Sequence, residues 1–242
     1  MRAALVLISL LAAWPALAQP TALLRLPPPA GMGQLLLPDG TAPPLVILLP
    51  DTLGADRRED AYRDALWVRG VATLLLGLGE DREVFEAPVE PAASAEAARL
   101  AIAWGRAEGF GAIGLLGFGL GGRGALAAGA EVPVVALYPR CPGLPAPAAP
   151  ALVIQGAEDA EGCAALPPGV TLRLLPGVAH GWDAPGAMWP GTSVVLPDPA
   201  GGERLRVRAD PAATQTAATE AAEWLAAALR AAPTTSQAEF RP

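Results

Sequence analysis

The 242-residue sequence contains no lysine, one histidine and two cysteines, and these shortages exclude several kinds of site. A zinc site built from several cysteine and histidine ligands is ruled out, and we expect neither a metal nor a cofactor. The 17 basic residues, all arginine, are outnumbered by 24 acidic ones, which gives a net charge of −7. An acidic chain without a basic run argues against binding to nucleic acid, because phosphate contacts need clustered positive charge.

The sequence also lacks an apolar run of about 18 residues, the length that a membrane-spanning helix needs. The chain begins with a positive residue, Arg2, an apolar stretch over residues 3–13, and small residues at Ala16 and Ala18. This pattern is typical of a secretory signal peptide and predicts cleavage after residue 18, so we expect a periplasmic or secreted protein without a membrane span. A buried N-terminal helix or an anchor is the alternative.

The two cysteines, Cys141 and Cys163, are an even number in a chain that is predicted to enter an oxidising compartment. A disulfide between them is therefore the default expectation. It would close a loop of about 20 residues and contribute on the order of 3 kcal/mol to the free energy of unfolding. Two free thiols, one of them reactive, are the alternative.

Apolar runs alternate with helical patterns along most of the chain. These patterns predict two antiparallel edge strands (23–26 and 34–37) and six further strands (45–49, 71–76, 112–116, 134–138, 151–155 and 170–175). The strands at 45–49, 71–76, 112–116 and 151–155 are expected to be buried. A hairpin (193–196 with 204–208) and helices at 91–108, 121–130 and 211–230 are also predicted. Another helix is predicted to run from Asp56, as its N-cap, to Arg69. Strands that alternate with helices predict one α/β domain over residues 19–231, with a mostly parallel sheet covered on both faces. A disordered tail is expected at 232–242.

A glycine-rich turn, Gly117-Phe118-Gly119-Leu120-Gly121-Gly122, joins the strand predicted at 112–116 to the following helix. In α/β-hydrolases a strand–turn–helix of this kind is the nucleophile elbow, G-x-S-x-G, with the nucleophile in the middle. An acid and a histidine follow in the chain order of that fold, Asp159 after a buried strand and His180 after the last one. The middle residue in this sequence is Gly119, which has no side chain.

These segments together resemble the dienelactone hydrolase family, specifically its exported bacterial members. The resemblance covers about residues 45–230 and rests on the elbow, Pro50-Asp51, Tyr138-Pro139-Arg140-Cys141, Leu152–Asp159, Ala179–Asp183 and Asp210-Pro211-Ala212. It implies a single-domain α/β-hydrolase fold that hydrolyses carboxylic esters or lactones, with Asp159 as the acid and His180 as the base. It also implies an oxyanion hole made of the Leu120 N–H and another N–H from Thr52 or Leu53. The Cys141–Cys163 pair fits the family as well.

Gly119 departs from this family, whose elbow residue is normally cysteine or serine. Loss of the nucleophile lowers turnover on the order of a millionfold, whereas oxyanion donors and the pocket alone retain about a thousandfold over water. One hypothesis is a degenerate hydrolase that binds a small ester, lactone or carboxylate without efficient turnover. The other is a weak hydrolase in which His180 activates water that partly fills the space at Gly119.

A dinucleotide-binding protein is a remote alternative, because Gly117, Gly119 and Gly122 also fit G-x-G-x-x-G. That fingerprint normally comes with an acid at the end of the next strand, and the strand ending at residues 137–139 has none. Simpler explanations remain for the site residues themselves: a core or surface histidine, a capping Asp159, and a plain tight turn at Gly119.

Six charged residues before and within the first predicted helix could bind a substrate or a metal: Asp51, Asp56, Arg57, Arg58, Glu59 and Asp60. We interpret them instead as caps and a solvated helix face. Trp182 and Trp189 are predicted either to line a pocket mouth or simply to pack, and neither role is favoured.

Overall fold

The computed structural model describes residues 21–39, 42–52, 54–77, 91–184, 193–198 and 204–231. The predicted signal peptide at 1–18 and the predicted tail at 232–242 lie outside the described residues. The strands are β1 (Thr21–Arg25), β2 (Met32–Leu36), β3 (Leu45–Leu49), β4 (Ala72–Gly77), β5 (Ile113–Phe118), β6 (Val134–Leu137), β7 (Ala151–Gly156), β8 (Val170–Leu175), β9 (Val194–Pro197) and β10 (Arg204–Val207). The helices are α1 (Asp60–Trp67), α2 (Pro91–Ala107), α3 (Leu120–Ala127) and α4 (Pro211–Ala231).

Eight of these strands form one sheet in the order β1-β2-β4-β3-β5-β6-β7-β8. β2 pairs antiparallel with both β1 and β4, and every other neighbouring pair in the sheet is parallel. The prediction of a mostly parallel sheet with two antiparallel strands at one edge is therefore confirmed. Because β3 to β8 run in the same direction, the loops that follow them gather at one edge of the sheet.

β3 shows why these runs form buried strands, since all five of its residues are buried. Leu45, Ile47 and Leu49 face a cluster that contains the buried side of α2 and α3. Val46 and Leu48 face the opposite cluster, which contains the buried side of α1 and α4. Alternate residues of a strand point to opposite faces, so a strand between two helical layers must be apolar throughout.

The first helix begins later than the sequence predicts. α1 starts at Asp60, its N-cap is Glu59, and no side chain caps it. The prediction that Asp56 is the N-cap is wrong, because residues 57–59 form a turn before the helix begins. Asp56 Oδ1 accepts a 2.8 Å hydrogen bond from the Arg58 N–H within that turn. An aspartate that binds the backbone two residues ahead forms a local turn that competes with capping. α3 is also shorter than the predicted 121–130.

The excursion between β8 and α4 contains the predicted hairpin, in which β9 and β10 pair antiparallel. Its outgoing segment is held on the main domain, because the Arg208 N–H donates to the His180 carbonyl and the Asp210 N–H donates to the Trp182 carbonyl. The predicted Cys141–Cys163 disulfide is present and joins the loop after β6 to the segment after β7. None of the helices in the described ranges is both long and apolar enough to cross a membrane.

Candidate functional site

The turn between β5 and α3 has the sharp backbone that an elbow requires. Gly119 has φ 50° and ψ −112°, a conformation that residues with side chains rarely adopt. The flanking glycines are required by close approach: a Cβ at Gly117 would lie 2.4 Å from the Gly121 carbonyl oxygen, and one at Gly121 would lie 2.3 Å from the Leu49 carbonyl oxygen. The turn therefore brings the start of α3 against the ends of β3 and β5. Leu120, the predicted oxyanion donor, is the first residue of α3.

Asp159 and His180 form a hydrogen-bonded pair beyond the carboxyl ends of β7 and β8. Asp159 ends the short 3₁₀ turn after β7, and His180 lies in the turn after β8. His180 Nδ1 is 2.7 Å from Asp159 Oδ2. Since a carboxylate only accepts hydrogen bonds, Nδ1 is the donor, and in the neutral imidazole Nε2 carries the lone pair. His180 is 3% exposed, and its Nε2 has no hydrogen-bond partner within the described ranges.

Two further donors hold the Asp159 carboxylate. Gln155 Nε2, on β7, donates to Oδ2 over 2.7 Å, and Arg140 forms an ion pair with Oδ1. Arg140 has φ 58°, a left-handed conformation that persists in a non-glycine residue when its surroundings hold it there. Those surroundings are the disulfide at Cys141 and the Arg123 guanidinium, which donates to four backbone carbonyls of the same loop. The loop after β6 thereby aims Arg140 at the acid.

The space next to Gly119 is taken by the carboxylate of Asp51, the second residue after β3. A Cβ added to Gly119 would lie 2.8 Å from both carboxylate oxygens of Asp51 and 2.9 Å from its Cγ. Asp51 is 2% exposed, and its Oδ1 accepts a 2.6 Å hydrogen bond from the Thr52 N–H. Thr52 is one of the two predicted alternatives for the second oxyanion donor, and the other, Leu53, lies outside the described residues. A carboxylate therefore stands beside the vacant nucleophile position, in the space that the weak-hydrolase hypothesis assigned to water.

A buried arginine balances the charge of Asp51. Arg58 Nη1 is 3.3 Å from Asp51 Oδ2, while Arg58 Nε and Nη2 donate to the Asp56 carboxylate over 2.7–3.1 Å. The Arg58 side chain is 1% exposed. Burial lowers the pKa of Arg58, but the surrounding Tyr138, Asp56, Asp183 and Asp51 together raise it above its usual range. Arg58 is therefore a permanent cation between two carboxylates.

The interpretation of this charged segment as a solvated helix face is wrong for three of its residues. Asp51, Arg58 and Glu59 are buried, and the Arg58 guanidinium pairs with the carboxylates of Asp51 and Asp56. The interpretation holds for Arg57 and Asp60, which form an exposed ion pair 3.5 Å long. A short run of alternating charges does not show which members face the interior, and that is why the sequence missed this buried pair.

The Glu59 side chain is fully buried, and only one of its two carboxylate oxygens has a hydrogen-bond partner among the described residues. Its Oε2 accepts a 3.2 Å hydrogen bond from the Asp56 N–H, and its Oε1 has no partner among the described residues. Burial, and next the negative charge of Asp56, raise the pKa of Glu59 to about 8. A group with this pKa is protonated below pH 8, so Glu59 adds little negative charge beside Arg58 at neutral pH.

Asp183 is buried between two tyrosines on the side of the sheet that carries α1 and α4. Its Oδ1 accepts a 2.6 Å hydrogen bond from the Tyr138 hydroxyl, and its Oδ2 accepts a 2.8 Å hydrogen bond from the Tyr62 hydroxyl. Burial raises the pKa of Asp183 to about 6, although Arg58 and the two hydroxyls favour its charged form. Sequence reasoning missed this carboxylate, because neither tyrosine lies near it along the chain.

Aromatic packing connects this carboxylate to the histidine. The centroid of the Tyr138 ring lies 5.0 Å from that of the His180 ring and 4.8 Å from that of the Trp182 ring, and both pairs make edge-to-face contacts. Trp182 is fully buried, and its Nε1 donates a 3.1 Å hydrogen bond to the Tyr62 hydroxyl. Of the two roles predicted for Trp182, the structure therefore shows packing, whereas Trp189 lies outside the described residues.

The structure brings the predicted acid and base into contact. Gly119 directly follows β5 and lies at the same edge of the sheet, where the parallel strands end. A cavity of about 260 Å³ lies elsewhere, and neither Gly119, Asp159 nor His180 lines it. Its lining residues are Thr21, Leu36, Asp60, Arg63 and Asp64. Gly122, part of the alternative dinucleotide pattern, packs against β6, where an added Cβ would lie 3.2 Å from the Ala136 Cβ. In the part of the chain that the structure describes, no three histidine, cysteine, aspartate or glutamate side chains are grouped so as to hold a metal ion.

No protein-family model and no curated protein matches the sequence, whereas solved structures match the fold. A dienelactone hydrolase from Anabaena variabilis is 22% identical, with a TM-score of 0.61 over 88% of this chain and 99% of its own. A dienelactone hydrolase-like promiscuous phosphotriesterase from metagenomic libraries is 17% identical, with a TM-score of 0.57 over 82% and 92%. An α/β serine hydrolase without lid from Xanthomonas campestris is 20% identical, with a TM-score of 0.52 over 66% and 85%.

The strand order, the helical layers and these neighbours define the α/β-hydrolase fold, as the sequence predicts. Within that fold, the chain is similar in architecture to a dienelactone hydrolase and to a dienelactone hydrolase-like protein, in agreement with the resemblance that the sequence indicates. Identities of 17–22% establish a shared architecture. What the site does must therefore be argued from its own residues.

Proposed function

We propose that this chain is an exported protein of the carboxylic-ester and lactone hydrolase class that binds a small ester, lactone or carboxylate ligand without efficient turnover. One observation carries the proposal. The Asp159–His180 pair has the geometry of a working acid and base, while residue 119 of the elbow has no side chain. The proton relay is retained, but the atom that would attack the substrate is missing.

In acyl transfer, an acid and a base act only on a nucleophile, so the missing side chain at residue 119 decides what the Asp159–His180 pair can do. In such a site the histidine takes the proton of the nucleophile, and the acid keeps the imidazole in the correct tautomer. Without a hydroxyl or thiol at residue 119, His180 has no nucleophile to activate and no acyl-enzyme forms. Removal of the nucleophile from a serine hydrolase lowers turnover on the order of a millionfold. Covalent turnover by this route is therefore negligible.

Export is part of the proposal and rests on two independent features. The N-terminal pattern is that of a secretory signal peptide. The disulfide between Cys141 and Cys163 persists in oxidising compartments such as the periplasm. It is also adjacent to Arg140, which pairs with the acid, so an oxidising environment preserves the geometry of the site.

A weak hydrolase is the second candidate, and the unpartnered Nε2 of His180 favours it. That nitrogen could take a proton from a water molecule directly, since Asp159 already orients the ring. The Asp51 carboxylate beside Gly119 counts against this route, because it occupies space that the attacking water was expected to fill.

Kinetics and binding separate the two candidates. The purified protein and its His180→Ala variant are assayed with p-nitrophenyl acetate, and the degenerate hydrolase predicts equal rates close to the buffer blank. Addition of δ-valerolactone is expected to raise the melting temperature of the protein without release of acid, since a ligand that binds only the folded state stabilises it. Turnover that depends on His180 would establish the weak hydrolase instead.

A further inference from the structure

The cavity of about 260 Å³ lies away from the acyl-transfer site, between α1 and the two antiparallel strands at the edge of the sheet. Thr21 of β1 and Leu36 of β2 line it together with three charged residues of α1. Binding sites are concave, and a volume of this size suits a small molecule better than a drug-sized one. The charged groups of the lining determine which chemistry such a molecule needs.

Arg63 brings a buried cation to this cavity without an anion to balance it. The residue is 8% exposed, its Nη1 donates to Gln34 Oε1 over 2.6 Å, and its Nε donates to Thr73 Oγ1 over 3.3 Å. Both acceptors are neutral. Among the residues that the structure describes, Nη2 has no acceptor and no carboxylate forms an ion pair with the guanidinium. A buried charge is costly unless it is paired, so Arg63 favours an anionic group in the cavity.

Asp64 brings the opposite charge to the same cavity. It follows Arg63 along α1, it is exposed, and its carboxylate makes no hydrogen bond or ion pair within the described part of the chain. Asp60, the other acid of the lining, is paired with Arg57. Burial lowers the pKa of Arg63 while nearby acids, Asp60 and Asp64 included, raise it, so these carboxylates act on Arg63 without reaching ion-pair distance. The cavity therefore has a buried cation and an exposed anion that are not paired with each other.

We propose that this cavity is a second binding site and that it takes a small zwitterion, a molecule that carries both a carboxylate and an ammonium group. The carboxylate accepts a charge-assisted hydrogen bond from Arg63 Nη2, and the ammonium group donates to the Asp64 carboxylate at the exposed side. A simple anion would pair with Arg63 but approach two acids, and a simple cation would leave the guanidinium unpaired. The inference goes beyond the proposed function, because no residue of the acyl-transfer site lines this cavity.

Three probes of similar length test the charge pattern. 4-Aminobutanoate carries both groups, butanoate only the carboxylate, and butylamine only the ammonium group. Isothermal titration calorimetry with the purified protein in one low-salt buffer measures their affinities. We expect 4-aminobutanoate to bind with a dissociation constant of about 1 mM or lower, and the other two about tenfold more weakly, because each satisfies one charge. Equal affinities of the three probes, or no binding of 4-aminobutanoate up to about 10 mM, would overturn the inference.

A charge-removing variant assigns the ammonium group to its partner. Asp64→Asn should weaken the binding of 4-aminobutanoate about fivefold and should not weaken the binding of butanoate, which has no ammonium group. Glu131→Gln is the matched control, because it also removes one exposed negative charge but does not line the cavity. It should leave both affinities unchanged. An effect of Glu131→Gln equal to that of Asp64→Asn would show a response to net charge and contradict the site.

Two variants locate the carboxylate. Arg63→Gln should weaken the binding of 4-aminobutanoate about tenfold or more, and Arg63→Lys, which keeps the charge, should recover part of that loss. His180→Ala should change nothing. If binding falls in His180→Ala and persists in Arg63→Gln, the probe occupies the acyl-transfer site, which would overturn this inference and leave the proposed function standing. If Arg63→Gln does not fold, the comparison of Asp64→Asn with its control decides.

Discussion

Two carboxylates stand at the same edge of the sheet, each paired with an arginine, and they differ in what else they touch. Asp159 binds Arg140, Gln155 and the ring of His180, whose remaining nitrogen has no partner in the described part of the chain. Asp51 binds Arg58 and its own neighbour Thr52, and it lies against Gly119. Asp159 contacts a histidine that can transfer a proton, whereas the neighbours of Asp51 are a permanent cation and a backbone N–H. The site therefore has a proton-transfer half, Asp159 and His180, and an enclosed half, Asp51 and Arg58.

The largest expected effect separates the two arginines. Arg58→Met keeps the aliphatic volume but leaves Asp51 and Asp56 without their buried cation, so we expect a loss of about 3–5 kcal/mol in the free energy of unfolding. Arg140→Met should lose about 1–2 kcal/mol, since Asp159 keeps the Gln155 and His180 contacts. Denaturant unfolding measures both. Equal losses would show that the two carboxylates are held alike.

Removal of the disulfide should loosen one half of the site and leave the other unchanged, and it is expected to have the next largest effect. Replacement of Cys141 and Cys163 by serine removes the link between the loop that carries Arg140 and the segment after Asp159. We expect a loss of about 3 kcal/mol in unfolding free energy, by the chain-entropy estimate for a loop of this length. The proton-transfer half should loosen, so hydrogen exchange should rise in residues 139–143 and remain unchanged in residues 51–58. A uniform rise across both segments would contradict this.

Glu59 should make the enclosed half sensitive to pH. Its folded pKa is raised to about 8 from 4.5, so the native state keeps a proton that the unfolded state releases, and stability falls as pH rises through that window. Glu59→Gln removes this loss and should stabilise the protein by about 2 kcal/mol at pH 6, with little effect near pH 4.5. Denaturant unfolding across this range is the measurement, and exposed Glu131→Gln is the control. The same pH slope in both variants would exclude Glu59 as the cause.

Tyr138 connects the two halves and should give the smallest effect. Its ring contacts His180, and its hydroxyl donates to Asp183, which in turn favours the charge of Arg58. Tyr138→Phe keeps the ring and leaves Asp183 Oδ1 without its donor, so we expect a loss of about 1–2 kcal/mol in unfolding free energy. The pKa of Asp183, now about 6, should rise further, which NMR titration of a ¹³C-labelled carboxyl can measure. An unchanged pKa would show that the hydroxyl does not support the charge.

Much of the fold was predictable from local patterns. The continuous apolar run of β3 predicts a strand buried on both faces, and the prolines between β1 and β2 predict a sheet edge. The hairpin of β9 and β10, the disulfide and the α2 and α4 helices also agree with the sequence. Each of these features depends on residues close together in the chain or on a simple count. The N-terminus of α1 was mispredicted because the Asp56 side chain binds the Arg58 N–H within a turn, and the helix begins only after that turn, at Asp60.

The site was predicted in part, and the missing part has a common cause. The order of Gly119, Asp159 and His180 along the chain indicates an acid next to a base, and the structure places these two side chains in contact. The partners Arg140 and Gln155 were not predicted, since their contacts depend on loop conformation.

The sequence by itself determined the architecture, the backbone of the elbow and the absence of a side chain at residue 119. These follow from hydrophobic periodicity and from glycine at positions where strand, turn and helix approach closely. Only the tertiary structure decided what fills the resulting space. Asp51 reaches Gly119 because neighbouring parallel strands end at one edge and a buried Arg58 holds the carboxylate there. Contacts between side chains from separate loops depend on packing, which no local pattern encodes.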